Sequence, residues 1–390
     1  MTTDAQLDAR FGPVFARIAA GALEREAQRR LPFEEVKWLR EAGFGRIRVP
    51  VEHGGFGATL PQFFRELIAL ARADSNLPQL WRGHIGFVES RLGHSDPGVR
   101  ERWLRRIAEG IIVGNAQSEE TSPSFWRNAT TVRRVGDGWR LDGRKSYSTG
   151  SIFADWILTT ATVDAEHSAT VLVPAAAPGV QLIDDWDGFG QRLTGSGTTV
   201  FEDVPIAGED VEPYENGAAR PSTLVAIYQL VHLATLAGIA QAAVADTVAF
   251  VSQRTRNLAN PAQPRPRFDP QVQQVVGRLQ SKAFAATATA LAAVDVLEQE
   301  PGDAADAAVF AAQTAVIELV LGLTSELFEV GGASAVTERF RLDRHWRNAR
   351  TLASHNPAIV RQTIVGDHLL NGTSPTSWAR RTWEAVQEGR

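Results

Sequence analysis

The sequence predicts an α+β protein in which helices come first, a β-domain follows and a helical bundle ends the chain. Apolar residues recur at helical spacing over residues 3–110. Short β-branched or alternating runs replace that pattern over residues 111–205, and Ala-rich amphipathic stretches follow. Because strands and helices do not alternate along the chain, Rossmann and TIM-barrel folds are disfavoured.

The first predicted domain is helical and covers residues 1–113. Phe63, Leu67 and Leu70 lie three or four residues apart, which is the spacing of one buried helix face. Gly54-Gly55 and Pro61 are helix breakers, so this domain is expected to contain several helices.

The middle domain is predicted to be an antiparallel, barrel-like β-domain over residues 114–210. Its strand-like runs are separated by turn signals. Two of these signals are Asp137-Gly138 and Asp142-Gly143, and Asp-Gly pairs suit tight hairpin turns because they tolerate positive φ.

The C-terminal domain, residues 211–390, is predicted to be a four-helix bundle. A Pro/Gly/Glu-rich connector at 208–221 precedes long amphipathic stretches at about 222–255, 270–299 and 303–330. Four prolines between the first two stretches indicate an irregular loop.

Composition excludes several classes of protein. The chain has 390 residues, 44% of them hydrophobic, no cysteine and a net charge of -5. Disulfides, thiolate metal sites and cysteine nucleophiles are therefore excluded, and no basic excess indicates nucleic-acid binding. The eight histidines show no close helical pair, so no metal site is predicted. Neither a signal peptide nor a run of about 18 apolar residues is recognised, so a cytoplasmic protein without a membrane span is expected.

Two polar segments are the strongest candidates for a site. Asn115 to Glu119 and Lys145 to Ser151 both lie at predicted strand ends. Their amide and hydroxyl groups can supply uncharged hydrogen bonds to the rim of a flat heterocycle. Clusters of Ser, Thr and Gly at strand ends are more often simple turns, and composition alone leaves both interpretations open.

Three further features have both a functional and a structural interpretation. Trp186 can stack on an aromatic ligand or anchor local packing. Four arginines between Arg341 and Arg350 can hold a phosphate or form a solvated helix face. His355 stands before Asn-Pro at a predicted helix boundary, where an imidazole can point into a cleft.

Six segments in this order resemble the acyl-CoA dehydrogenase superfamily over nearly the whole chain. They are Asn115 to Glu119, Lys145 to Ile157, Asp185 to Arg192, Phe201 to Val204, Arg254 to Arg256, and Leu342 to Pro357. The similarity is greatest to the flavin-dependent monooxygenase branch, which includes dibenzothiophene monooxygenase and SfnB-type proteins. In acyl-CoA dehydrogenases the general base is commonly a Glu near the end of the last of these segments, whereas this chain has Ser354-His355-Asn356-Pro357 there and no Glu.

The resemblance implies roles for individual residues. His355 matches a histidine that stabilises or protonates a flavin C4a-peroxide, and Leu352 replaces a second histidine of dibenzothiophene monooxygenase. Asn115 and Thr149 match an amide and a hydroxyl beside the flavin, and His84 falls near another pocket histidine. The flavin-binding residues implied in this way are Asn115, Ser118, Ser148, Thr149, Trp186, Gln191, Arg254 and Arg256.

The resemblance also implies the reaction. A separate reductase supplies reduced FMN or reduced FAD, and O2 then forms a C4a-hydroperoxide that oxidises a sulfur or nitrogen atom of a small organic substrate. A homotetramer is implied, with the site between the β-domain and the bundle near a subunit contact. Phe125, Trp126 and Trp186 are expected to line an aromatic pocket.

Two other functions stay open at this point. One is an acyl-CoA dehydrogenase or oxidase with FAD, using Glu119 or Asp343 as its base. The other is a helical scaffold that has lost its cofactor.

Overall fold

A computed structural model describes residues 2–120, 128–216, 222–257 and 260–378. The N-terminal domain is helical, as predicted. Thr3 and Thr59 begin its first and third helices with capping boxes, and the helices pack around a core rich in phenylalanine. The helices are α1 (Asp4–Gln28), α2 (Phe33–Ala42), α3 (Leu60–Ala73), α4 (Asn76–Leu92) and α5 (Pro97–Ala108).

The middle domain is an eight-stranded sheet of order β6-β7-β3-β2-β4-β5-β8, with β1 paired to β4. The strands are β1 (Val113–Ala116), β2 (Thr131–Val135), β3 (Gly138–Lys145), β4 (Trp156–Thr162), β5 (His167–Pro174), β6 (Val180–Ile183), β7 (Thr198–Ile206) and β8 (Val211–Glu215). An apolar cluster that includes Val132, Leu141 and Phe201 fills its interior.

Three details of this sheet differ from the prediction. β1 runs parallel to β4, and β2 meets β4 in parallel at one residue pair, so the sheet is mixed. The sheet continues beyond residue 210, because β8 pairs with β5 inside the predicted connector. Asp142-Gly143 forms no hairpin turn, because it lies within β3, where the register with β7 shifts between Leu141 and Gly143. Gly143 has φ +154°, and a Cβ there would clash with Thr130. Asp137-Gly138 lies at the β2–β3 hairpin, as predicted.

The C-terminal bundle comprises α6 (Ser222–Gln253), α7 (Pro270–Gln299), α8 (Asp303–Glu326), α9 (Asp343–His355) and α10 (Ala358–Asn371). α6 is central and contacts α3, α4, α7, α8 and α9. The predicted bundle is therefore confirmed, and the two shorter helices α9 and α10 complete it.

Two helical segments of the bundle meet the length and hydropathy criteria for crossing a membrane. In Thr223–Gln253 and Asp303–Val330, 78% and 56% of the most apolar window is buried inside the protein. Core helices of globular proteins meet the same criteria. Their position against neighbouring helices assigns them to the core of this bundle.

Candidate active site

Helix α4 brings the β-domain and the bundle together. A Cβ atom at Gly83 would lie 2.6 Å from the Cβ of Asn115, so only glycine allows α4 to approach β1 this closely. At Gly86, a Cβ would lie 2.3 Å from the ring of Tyr228 on α6. The segment from Gly83 to Gly86 therefore contacts both β1, at Asn115, and the bundle, at Tyr228.

The loop after β3 lies against the same helix. Gly150 has φ +79°, and a Cβ there would lie 2.1 Å from the carbonyl oxygen of Leu80 on α4. The Ser148 hydroxyl is buried and has no hydrogen-bond partner among the described residues, and the Thr149 hydroxyl is 2.7 Å from that of Ser196. Ser151 donates a 3.2 Å hydrogen bond to the backbone oxygen of Asn115. The predicted residues Asn115, Ser148 and Thr149 are thus brought together.

A buried ion pair fixes the two polar strand ends. Lys145 Nζ lies 2.5 Å from Glu119 Oε1, and their side chains are 0% and 1% exposed. The neighbouring Ser118 is exposed, and its backbone oxygen accepts a 2.8 Å hydrogen bond from Ser146 N–H. Burial raises the pKa of Glu119, but the bond and charge of Lys145, with other hydrogen bonds, hold it below its ordinary value.

His84 joins three elements through its ring. Nε2 is 2.8 Å from the carbonyl oxygen of Gly45, and Nδ1 accepts a 3.2 Å hydrogen bond from Val113 N–H, so Nε2 carries the proton. Burial lowers the pKa of His84 to about 4, which keeps the ring neutral. Because both nitrogens are occupied by backbone, this geometry supports a structural role for His84 rather than the predicted catalytic one.

Trp186 and Gln191 hold the long loop between β6 and β7 in place. The Trp186 indole donates to the carbonyl oxygens of Gly190 and Gln191 at 3.3 and 3.1 Å, and its ring contacts that of Tyr147 edge-on at 6.1 Å. Gln191 N–H donates to Asn348 Oδ1 on α9 at 2.6 Å, while Gln191 Oε1 is buried and has no partner in the part of the chain that the structure describes. The loop is therefore anchored to α9. The ring of Trp186 contacts Tyr147, which stands two residues before Thr149 in the sequence.

His355 stands at the end of α9 beside a second histidine. Its ring lies 4.6 Å from that of His232 on α6, centroid to centroid and edge-on. The ring is reachable by solvent but surrounded by protein, and this burial together with the charge of Arg82 lowers the pKa of His355 to about 3. Asn356, whose amide donates to Gln229 at 3.1 Å, holds this helix end against α6. His355 is therefore neutral at pH 7.

Arg254 and Arg256 lie at the opposite end of α6. At 1.5 Å per residue, Arg254 is about 33 Å from His232 along the helix axis. Arg254 donates a 2.9 Å hydrogen bond to the backbone oxygen of Val330, and Arg256 is exposed. Within one subunit, these arginines do not belong to the site around His355. The predicted pocket residues Phe125 and Trp126 lie outside the described residues.

Three residues around His355 were not predicted from the sequence. The ring of His232 contacts that of His355, and the charge of Arg82 lowers the pKa of both histidines. The charge of Arg361 on α10 also lowers the pKa of His232. Arg82 stands in the segment Trp81 to His84 that drew attention to His84, so a signal was present. His232 gave none, because a single histidine in an apolar helix reads as a core residue.

Family models match the chain in three consecutive parts. The N-terminal, middle and C-terminal domains of acyl-CoA dehydrogenase match residues 14–111, 115–204 and 230–358. The chain belongs to the acyl-CoA dehydrogenase superfamily. The resemblance seen in the sequence is thereby confirmed, and so is the fold it implied.

Individual relatives of this acyl-CoA dehydrogenase superfamily member place it in the flavin monooxygenase branch. It is 28% identical to dibenzothiophene monooxygenase of Mycolicibacterium goodii, over 88% of each chain. It is also 28% identical to the probable FMNH2-dependent monooxygenase SfnC of Pseudomonas putida, over 92% of this chain and 93% of that one. The crystal structure of FMN-bound TdsC from Paenibacillus sp. A11-2 superposes with a TM-score of 0.86 at 26% identity, covering 94% of this chain and 98% of that chain.

Proposed function

We propose that this protein is a flavin-dependent monooxygenase that uses reduced FMN and O2 to oxygenate a small organic substrate. A separate flavin reductase supplies the reduced FMN. The observation that carries the proposal is the neutral His355 where a dehydrogenase of the superfamily needs a carboxylate base. The FMN-bound TdsC structure and the FMNH2-dependent relative support FMN as the cofactor.

The side chains near α4 suit an uncharged heterocycle. Ser148 has a buried hydroxyl that no described residue hydrogen-bonds, and Thr149 and Asn115 add a hydroxyl and an amide. Such groups donate to and accept from the rim of a flavin without adding charge. Reduced flavin supplies electrons to O2, and we infer that a C4a-hydroperoxide transfers oxygen to a sulfur or nitrogen atom of the substrate.

His355 has a defined task in this proposal. A neutral imidazole has one N–H donor, which would hydrogen-bond an oxygen atom held beside the flavin and stabilise it while oxygen is transferred. Asn115 and Thr149 orient the ring system, and the protein around them excludes water, whose entry favours loss of hydrogen peroxide.

Neither carboxylate considered for the dehydrogenase alternative is placed to act as its base. Glu119 is held by Lys145 and by the backbone amides of Ala129 and Thr130. Asp343 accepts a 2.7 Å hydrogen bond from Arg347 and lies at the start of α9, about 18 Å from His355 along the helix. Neither carboxylate stands beside His355.

The two arginines at the far end of α6 also fit the proposal if flavin binds between subunits. Arg254 and Arg256 cannot reach a flavin beside His355 of their own chain, since about 33 Å separates them. We propose that they contact the phosphate of a flavin held by a neighbouring subunit of a homotetramer.

The test is a rapid-mixing absorbance experiment. The protein is loaded anaerobically with reduced FMN and mixed with oxygenated buffer, with free reduced FMN as the control. We expect a peroxyflavin absorbance that persists well beyond reoxidation of the free flavin. Reoxidation at the rate of free flavin would contradict the proposal, and bleaching of bound FAD by an acyl-CoA would favour the dehydrogenase. Failure to bind flavin in either redox state would indicate a scaffold.

A further inference from the structure

Four basic side chains from four helices meet where α9 ends. Arg82 comes from α4, His232 from α6, His355 from α9 and Arg361 from α10. His232 is 2% exposed, and neither of its ring nitrogens has a hydrogen-bond partner among the described residues. A buried imidazole without a partner is costly, so this ring is expected to meet a ligand atom.

Arg82 carries a charge that no described carboxylate balances. Its Nε donates a 3.2 Å hydrogen bond to the backbone oxygen of Tyr228, and its guanidinium lies 4.5 Å from the centre of the Tyr228 ring. Burial lowers the pKa of Arg82 to about 10, and the opposing influence comes from the Tyr228 phenol rather than from an Asp or Glu of the described chain. The guanidinium remains charged at pH 7, with its two Nη groups not engaged in any hydrogen bond to the described residues.

Arg361 shows the same lack of compensation. Its guanidinium lies 4.3 Å from the centre of the Phe310 ring, and burial lowers its pKa. No described Asp or Glu lies within salt-bridge distance of Arg82 or Arg361, whereas the buried Arg25 and Arg91 are both paired with carboxylates. Partly buried positive charges without counter-ions destabilise a fold until an anion neutralises them.

We propose that Arg82, with His232 and Arg361, forms an anion site that binds a carboxylate, sulfinate or sulfonate group of the substrate beside His355. The planar guanidinium of Arg82 offers paired N–H donors that match two oxygens of such a group, and His232 adds a neutral N–H. The inference rests on the proposed function, which places the reaction beside His355. It adds that the substrate is an organic anion held by its charged end while its other end faces the flavin.

A phosphate is chemically similar to these groups, so the flavin phosphate is a second source of the anion. The two sources are distinguished by measuring the affinity for an organic anion and the affinity for FMN separately. The probes are methanesulfonate and its neutral isostere dimethyl sulfone, whose binding to the full-length protein is measured by isothermal titration calorimetry with and without FMN. FMN affinity is measured in parallel by fluorescence quenching.

We expect methanesulfonate to bind and dimethyl sulfone to bind at least tenfold more weakly. Arg82→Gln is expected to weaken methanesulfonate about 10- to 100-fold, the range for losing a charge-assisted hydrogen bond, with little change for the sulfone or for FMN. Arg82→Lys keeps the charge but not the planar pair of donors, so its loss is expected to be intermediate. Arg17→Gln, which removes an exposed arginine stacked on Trp38, is the matched control and should bind both probes as the unmodified protein does.

Three results would overturn the inference. They are equal binding of methanesulfonate and dimethyl sulfone, unchanged methanesulfonate affinity in a folded Arg82→Gln variant, and a loss confined to FMN, which would assign the site to the flavin phosphate. Thermal melting of each variant shows whether it has folded. If Arg82→Gln has not folded, the methanesulfonate affinity of Arg82→Lys decides whether Arg82 binds the anion. Because binding is measured without turnover, a negative peroxyflavin experiment would leave this result unaffected.

Discussion

Replacing Lys145 with methionine is expected to lower the free energy of unfolding by about 3–5 kcal/mol, the range for removing one partner of a buried ion pair. Methionine fills a similar volume but leaves the Glu119 carboxylate buried without its cation. The carboxylate keeps the amide hydrogen bonds of Ala129 and Thr130, at 2.5 and 3.1 Å, but no longer has the charge of Lys145 beside it. The substitution also removes the 3.0 Å hydrogen bond that Lys145 Nζ donates to Asn128 Oδ1.

The double variant separates a buried charge from lost packing. Lys145→Met combined with Glu119→Gln removes both charges, and replacing a buried ion pair as a unit is often close to neutral. The double variant is therefore expected to recover most of the stability that the single variant loses. Since the folded-state pKa of Glu119 lies below its ordinary value of 4.5, the contribution of the pair is present above about pH 4.5 and is lost as the pH falls further.

Equilibrium urea unfolding at pH 7, followed by tryptophan fluorescence, measures these differences. Arg133→Gln is the matched control, because Arg133 and Asp203 form an ion pair at 2.8 Å whose side chains are 58% and 60% exposed. Its loss is expected to change stability by no more than about 1 kcal/mol. A loss of that small size in Lys145→Met, or a double variant as unstable as the single one, would refute the reasoning.

Three further outcomes are expected. His355→Ala should lower the product formed per O2 consumed while FMN affinity is kept, and unchanged coupling would remove His355 from the reaction. In the unmodified protein, unfolded His84 takes up a proton that folded His84, with a pKa of about 4, does not, so stability should fall between pH 6.5 and 4. His84→Gln should flatten that dependence by up to about 1.4 kcal/mol per pH unit, and an unchanged slope in urea titrations would contradict it. Gly83→Ala should force α4 away from Asn115 and lower stability by about 1–3 kcal/mol, whereas Gly12→Ala, with open space at its Cβ, should not; equal melting temperatures would disprove the clash.

The long helices were predictable because their patterns extend over many turns. Stretches expected at 222–255, 270–299 and 303–330 correspond to α6, α7 and α8 within a few residues. Alternation identifies a strand but not its partner, so the parallel pairing of β1 with β4 could not be predicted. An Asp-Gly pair meets the needs of a bulge as well as those of a turn, which explains why Asp142-Gly143 was misassigned.

The sequence predicts those parts of the candidate site whose residues are close together in both sequence and structure. Asn115, Ser148 and Thr149 stand in short polar segments at strand ends, and the structure brings those segments to one helix. The pairing of His232 with His355 depends on the packing of α6 against α9 and leaves no local pattern. Arg254 and Arg256 were grouped with the site by resemblance, and only the length of α6 reveals their separation.

The ring of His84 has a consequence for how the protein moves. One imidazole connects α4, the turn at Gly45 and the first residue of β1, so the helical domain and the sheet share a joint that is out of contact with water. Any opening between α4 and β1 must break the hydrogen bond from Val113 N–H to His84 in a dry interior, which makes such opening rare. The amide proton of Val113 should therefore be among the slowest in the chain to exchange with solvent.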